Sequence, residues 1–177
     1  MNGYRKYAAA VAVSALFLLM TSLFGANADS PSAKSTEQKA GIDMGTVDRC
    51  PVCREYIFRH PRWVVLLYYE KNGAFKHLAF DGLKEFMKFY AAPEKWGDYA
   101  NIRMHVKKIV VRDYATRKPV IAQRAWYVAG SDVNGSKGSE YIPFKSRKSA
   151  EEFMKKHHGK RLLRFDEIVK ESAGGLP

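Results

Sequence analysis

The chain has 177 residues, with 30 Lys and Arg against 18 Asp and Glu for a formal charge of +12. That length allows one domain, or two very small units around a shared core. Two cysteines exclude a disulfide scaffold, which would show four to eight in so small a chain. The basic residues are scattered singly, as at Arg103, Lys107, Lys108, Arg112, Arg117 and Lys118. Nucleic acid is therefore not an expected partner, and the charge implies only a weak attraction to an anionic surface such as membrane headgroups.

Arg5 and Lys6 precede a largely apolar run from Ala8 to Phe24 that ends at Gly25-Ala26-Asn27-Ala28. A basic start, an apolar stretch and small residues in an A-x-A pattern make a secretory signal, cleaved after Ala28. An uncleaved anchor is the competing reading. A spanning helix wants about 20 apolar residues, and this run is shorter and carries Ser14, Thr21 and Ser22. No cysteine follows it to take a lipid. The protein is thus expected in the periplasm or outside the cell. Removing residues 1–28 takes two basic residues and no acidic one, which leaves 149 residues and a charge of +10. Residues 29–48 hold no aromatic residue and are rich in Ser, Lys, Glu, Gln and Gly, the composition of a flexible leader.

The folded part begins near Cys50. Trp63 to Tyr69 reads as a strand, Asn72-Gly73 as a two-residue hairpin turn, and Phe75 to Phe80 as the returning strand. Asp81 is expected to cap a helix with Leu83, Phe86, Met87 and Tyr90 at i, i+3, i+4 and i+7, stopped by Pro93. Met104 to Tyr114 reads as a further strand. The pattern then recurs: a strand at Arg124 to Val128, a Gly-rich loop over residues 130–138, and a strand at Glu140 to Phe144. Ser146 or Ser149 then caps a helix with Ala150, Phe153, Met154 and His157 on one face. Glu-Phe-Met-Lys occurs in both helices, at 85–88 and 152–155, with Ser146-Arg147-Lys148 as an apparent insertion. Gly159 stops the second helix, Arg161 to Phe165 forms a strand, Asp166 caps a short terminal helix, and residues 172–177 form a loose tail. The fold class is α+β: an antiparallel sheet with helices on one face, built from a duplicated ββα-type unit, with repeats at about 49–98 and 99–171.

Cys50-Pro51-Val52-Cys53 carries the chemistry. Two thiolates three residues apart suit Cu(I) or Zn(II); the same pair can also cycle between dithiol and disulfide, or form an inert disulfide. A thioredoxin-type site needs a strand before the first cysteine and a helix after it. Neither fits here, since the leader precedes Cys50 and Pro61 follows closely. Arg54 stands where haem attachment would need histidine. Zinc would need more ligands; His60, His77 and His105 each offer a single one, and a lone histidine on a strand is more often structural. His157-His158 reads as a favourable cation at a helix C-terminus. Asn134-Gly135-Ser136 matches a glycosylation sequon in form and fits a turn equally well. No nucleophile, base and acid come together in any catalytic motif, so the chain is not expected to be an enzyme.

Several segments together resemble the nitrous-oxide reductase accessory protein NosL family of exported copper-binding proteins, over roughly residues 50–168. These are Cys50-Pro51-Val52-Cys53 with His60-Pro61-x-Trp63, Ala79-Phe80-Asp81, and Ala125-Trp126-Tyr127-Val128 with Gly130-Ser131. They continue with Gly135-x-x-Gly138-x-Glu140, Ile142-Pro143-Phe144, Ala150-Glu151-x-Phe153 and His158-Gly159. The resemblance implies a duplicated ββα-type fold and a chaperone that binds Cu(I) for a copper enzyme such as nitrous-oxide reductase. It places the metal at Cys53, with Cys50 beside it. The family's Cys-Gly-Met reads Cys53-Arg54-Glu55 here, and its Gly-Pro-Met-Gly loop reads Gly135-Ser136-Lys137-Gly138. Glu55 and Lys137 thus stand where the family has methionines, and the Ala28 site stands where it has a lipoprotein signal. An exported dithiol redox protein and an interaction module without metal are the alternative functions.

Overall fold

A computed structural model of the chain describes residues 48–174. The expected signal at 1–28, nearly all of the leader and the last residues of the tail lie outside the described residues. No helix among the described residues is long and apolar enough to cross a membrane.

The α+β class holds, with antiparallel strands throughout. The strands divide between two main sheets and a short ribbon. β1 (Val65–Lys71) and β2 (Ala74–Phe80) form the expected hairpin, and Asn72 and Gly73 both take positive φ, at 55° and 71°, as its turn requires. The helix α1 (Leu83–Ala91) follows. The strand expected from Met104 begins later. Ile102–His105 coil into one helical turn, α2, before β3 (Val106–Arg112), which pairs with β1 and then with β4 (Pro119–Ile121). The first sheet therefore has the order β2-β1-β3-β4.

In the second half, β5 (Trp126–Ala129) is followed by a ribbon of β6 (Asn134–Gly135) and β7 (Gly138–Ser139) within the Gly-rich loop. Then come β8 (Ile142–Phe144), α3 (Arg147–Lys156), β9 (Arg161–Arg164) and α4 (Phe165–Ala173). β8 and β9 flank β5, giving the order β8-β5-β9. Both sheets thus place the first strand between its hairpin partner and the strand that follows the helix. Hydrogen bonding carries β3 with the first unit, across the expected boundary at 98/99.

The helices start in equivalent places. Gly82 and Ser146 are the two N-caps, each two residues past the phenylalanine that ends the preceding strand. There is consequently no insertion at 146–148. Phe153 corresponds to Phe89, and the repeated Glu-Phe-Met-Lys is displaced by about one helical turn.

The two helices also pack on different sheets. Phe80, Phe86 and Phe89 lie with Leu67 and Ile109 in the larger core, where the Phe86 and Phe89 rings sit 5.3 and 5.1 Å from Phe80. Ala150 and Phe153 pack with Val128, Ile142 and Phe144 in a smaller one. Alternation along β5 links the two cores: Val128 faces α3, whereas Tyr127 and Ala129 join the larger core. From α4, Phe165 places its ring 6.3 Å from both Phe86 and Tyr127.

The last helices differ from expectation at three points. α3 is closed by His158, at φ 54°, with Gly159 N–H donating to Met154 O at 3.0 Å. Gly159 is therefore one residue beyond the left-handed position, and its lack of a side chain admits Val128, whose Cγ1 would lie 2.4 Å from a Cβ there. Arg164 is the N-cap of α4, and Glu167, not Asp166, accepts from the cap's N–H. Ser172 is buried within α4, where its hydroxyl donates to Ile168 O, and so does not belong to a loose tail.

Candidate metal centre

Residues 48–57 form a closed loop whose backbone bonds leave little freedom. Cys50 N–H donates to Glu55 O, Arg54 N–H to Cys50 O and Ile57 N–H to Asp48 O, all within 3.0 Å, and Arg49 bridges Tyr56. Turning the chain inside this loop places Arg54 at φ 63°, a conformation that favours glycine. Where the family pattern has glycine, this chain thus holds a side chain in the left-handed region. The Arg49 guanidinium lies over the Tyr56 ring and donates to Arg54 O, which braces the turn.

Both cysteines are free thiols, Cys50 fully buried and Cys53 partly so. Asp81, at the end of β2, turns inward instead of capping α1 and is fully buried. Both of its carboxylate oxygens lie 3.2 Å from Cys53 Sγ, which donates to them. One donor atom each from Cys50, Cys53 and Asp81 falls within a 4.8 Å span, and this trio is the only such cluster of three potential ligands among the described residues. In sequence an aspartate between a strand and a helix reads as a cap, and only its place in the Ala79-Phe80-Asp81 segment sets Asp81 apart.

The cap comes from the other half of the chain. Glu140 Oε1 accepts from Lys84 N–H at 3.0 Å, in the first turn of α1, and from Tyr141 N–H at 2.9 Å. Glycine at the N-cap makes room for this: a Cβ on Gly82 would lie 2.4 Å from Glu140 Oε2. Burial, and then the charge of the equally buried Glu85, pushes the Glu140 carboxyl up to about 8.

Electrostatics keep the thiols protonated. Burial pushes Cys50 up to about 12, against backbone N–H groups of Cys53, Asp81 and Val52 that favour its thiolate. Cys53 is also raised, first by burial and further by its hydrogen bond to Asp81. Such thiols are poor nucleophiles for disulfide exchange. A soft cation changes the balance, because its charge replaces the protons and the N–H groups already point at sulfur. Asp81 is the acceptor of the Cys53 S–H hydrogen bond.

Glu55 and Lys137 meet each other. Glu55 Oε1 accepts from Arg59 at 2.8 Å and its Oε2 lies 3.9 Å from Lys137 Nζ, so the β6–β7 turn reaches the cysteine loop through an ion pair. The single histidines stay outside the cluster. His77 pairs with Asp48 at 3.3 Å, His105 lies on α2, and His60 closes the 3-10 turn at Ile57–Arg59. His157 and His158 each bring Nδ1 to 3.1 Å from Asp132, which ties the Gly-rich loop to the end of α3.

Fold and site together define a two-sheet α+β protein with one buried and one half-buried thiol beside a carboxylate. The NosL family model matches residues 41–173, and the chain belongs to that family. It is similar to the crystal structure of the copper chaperone NosL from Shewanella denitrificans, with a TM-score of 0.58 and 27% identity, over 73% of this chain and 96% of that one. No curated protein sequence matches the chain.

Proposed function

We propose that this protein is an exported, non-enzymatic copper chaperone that holds one Cu(I) between Cys50 and Cys53 for transfer to a copper enzyme such as nitrous-oxide reductase. The observation that carries the reading is the meeting of the two free thiols of the bonded 48–57 loop with Asp81 at the end of β2. Cu(I) is satisfied by two soft sulfurs, so the site does not need the thioethers that Glu55 and Lys137 replace. Asp81 is a hard donor, better matched to accepting the Cys53 hydrogen bond than to binding a soft cation. Family membership and the likeness to a copper chaperone support the choice of metal. Export rests on the signal read at residues 1–28. The redox alternative is disfavoured by the raised Cys50 thiol, which disarms it as an attacking group.

An anaerobic Cu(I) titration against a competing chelator, with free thiols counted first, tests this. Wild type takes up one equivalent and Cys53→Ser takes up none. Affinity rises with pH, because metal must displace protons from thiols raised above their ordinary values. Introducing Glu55→Met and Lys137→Met together removes the ion pair and tightens binding. If wild type takes up no Cu(I) while the double variant does, the chain is an interaction module that has lost its metal.

A further inference from the structure

The basic residues are scattered in sequence, yet folding gathers three of them. Arg62, Arg112 and Arg117 line a cavity of about 300 Å³ together with Pro61. Each is held by a contact that leaves its charge uncompensated. Arg112, the last residue of β3, donates from Nη1 to Arg117 O at 3.3 Å, while its buried Nε has no hydrogen-bond partner. Burial, and after it the neighbouring Arg117 charge, lowers the Arg112 pKa. Arg62 lies with its guanidinium 5.1 Å from the centre of the Tyr114 ring.

Arg117 projects from a braced turn, at φ 61°. Its N–H donates to Asp113 O at 2.8 Å, and Asp113 N–H donates to Lys118 O at 2.9 Å. Asp113 is the one carboxylate in that turn, and it is buried and fully used: Oδ2 accepts from Thr116 N–H and Oδ1 from Lys145 N–H. None of the three arginines has an ion-pair partner among the described residues.

We propose that this cavity is a binding site for a phosphate group, carried by a small phosphate ester or by a phospholipid headgroup. Guanidinium groups match phosphate oxygens with paired N–H donors, and no carboxylate among the described residues neutralises any of the three. Three positive charges are better balanced by a phosphate monoester's nearly two negative charges than by a single carboxylate. The turn and the Tyr114 ring fix the donors beforehand, which lowers the ordering cost of binding. The site does not involve the cysteines and stands apart from the metal reading.

The test is an NMR titration with glycerol 3-phosphate at constant ionic strength, following the arginine Nε–H signals. Saturable shifts of Arg112 are expected. Arg62→Gln, Arg112→Gln and Arg117→Gln should each weaken binding about tenfold or more. Arg124→Gln, on an exposed residue outside the cavity, should not. Because Arg112 is half-buried, wild type also gives a readout without substitution: the ester should protect Arg62 and Arg117 from phenylglyoxal. A parallel arm measures co-sedimentation with phosphatidylcholine vesicles carrying phosphatidic acid, whose headgroup is a phosphate monoester. Capture that needs the same arginines and is competed by the ester assigns the headgroup; ester binding without capture assigns the free ester. Shifts that do not saturate, no protection, or vesicle capture indifferent to the three substitutions would overturn the site.

Discussion

The two halves of the molecule share one plan and use it differently at one point. After β8, Phe144-Lys145-Ser146 leads into α3, and the Ser146 hydroxyl accepts from Ser149 N–H at 3.1 Å as an ordinary cap. After β2, Phe80-Asp81-Gly82 leads into α1, and the cap is absent from its own strand end. Glu140 supplies an acceptor from the other half, which leaves Asp81 turned toward Cys53. A duplicated unit can thus hand a structural task to its twin and turn the vacated side chain toward chemistry.

The largest expected effects test the plan itself. Phe86→Ala and Phe153→Ala should each cost about 3–5 kcal/mol in denaturant unfolding. Phe86 should sit at the upper end, since it is fully buried in the larger core while Phe153 lies in the smaller one. Near-neutral results at both would break the account of two cores.

Capping gives a sharper contrast. Copying the second half onto the first with Gly82→Ser should destabilise by about 1–3 kcal/mol, because the new Cβ meets Glu140 Oε2. The reciprocal loss, Ser146→Ala, should cost about 1 kcal/mol. A stabilising Gly82→Ser would mean that Glu140 is not the cap.

Glu140 also predicts a pH dependence. Its carboxyl is raised from 4.5 to about 8, so between those values the folded state keeps a proton that the unfolded chain has lost. Its contribution is therefore complete below pH 4.5 and is lost as pH rises to about 8, at up to roughly 1.4 kcal/mol per pH unit. Denaturation at several pH values in this range should show a steeper decline for wild type than for Glu140→Gln. Parallel profiles would contradict the assignment.

Much of the local structure is legible in the residues, because hairpin turns and helical stripes are set by near neighbours. Asn72-Gly73 needed only its own tolerance of positive φ, and the apolar stripe at Leu83, Phe86 and Met87 only its period. The cysteine pair is legible for the same reason. What escapes is decided across long separations. Asp81 looks like a cap until Glu140, 59 residues later, is known to bind Lys84 N–H. Arg62, Arg112 and Arg117 look dispersed until β3 and its turn bring them to one cavity. The repeated Glu-Phe-Met-Lys misleads because a shift of three residues nearly preserves a helix face, whereas the caps fix the true alignment.

The central claim is that Cys50 and Cys53 hold the metal together. X-ray absorption at the copper edge, on protein loaded anaerobically with one equivalent of Cu(I), tests it most directly. The account predicts two sulfur neighbours in wild type, and at most one in Cys50→Ser. A spectrum dominated by nitrogen or oxygen neighbours, or one unchanged in Cys50→Ser, would contradict it.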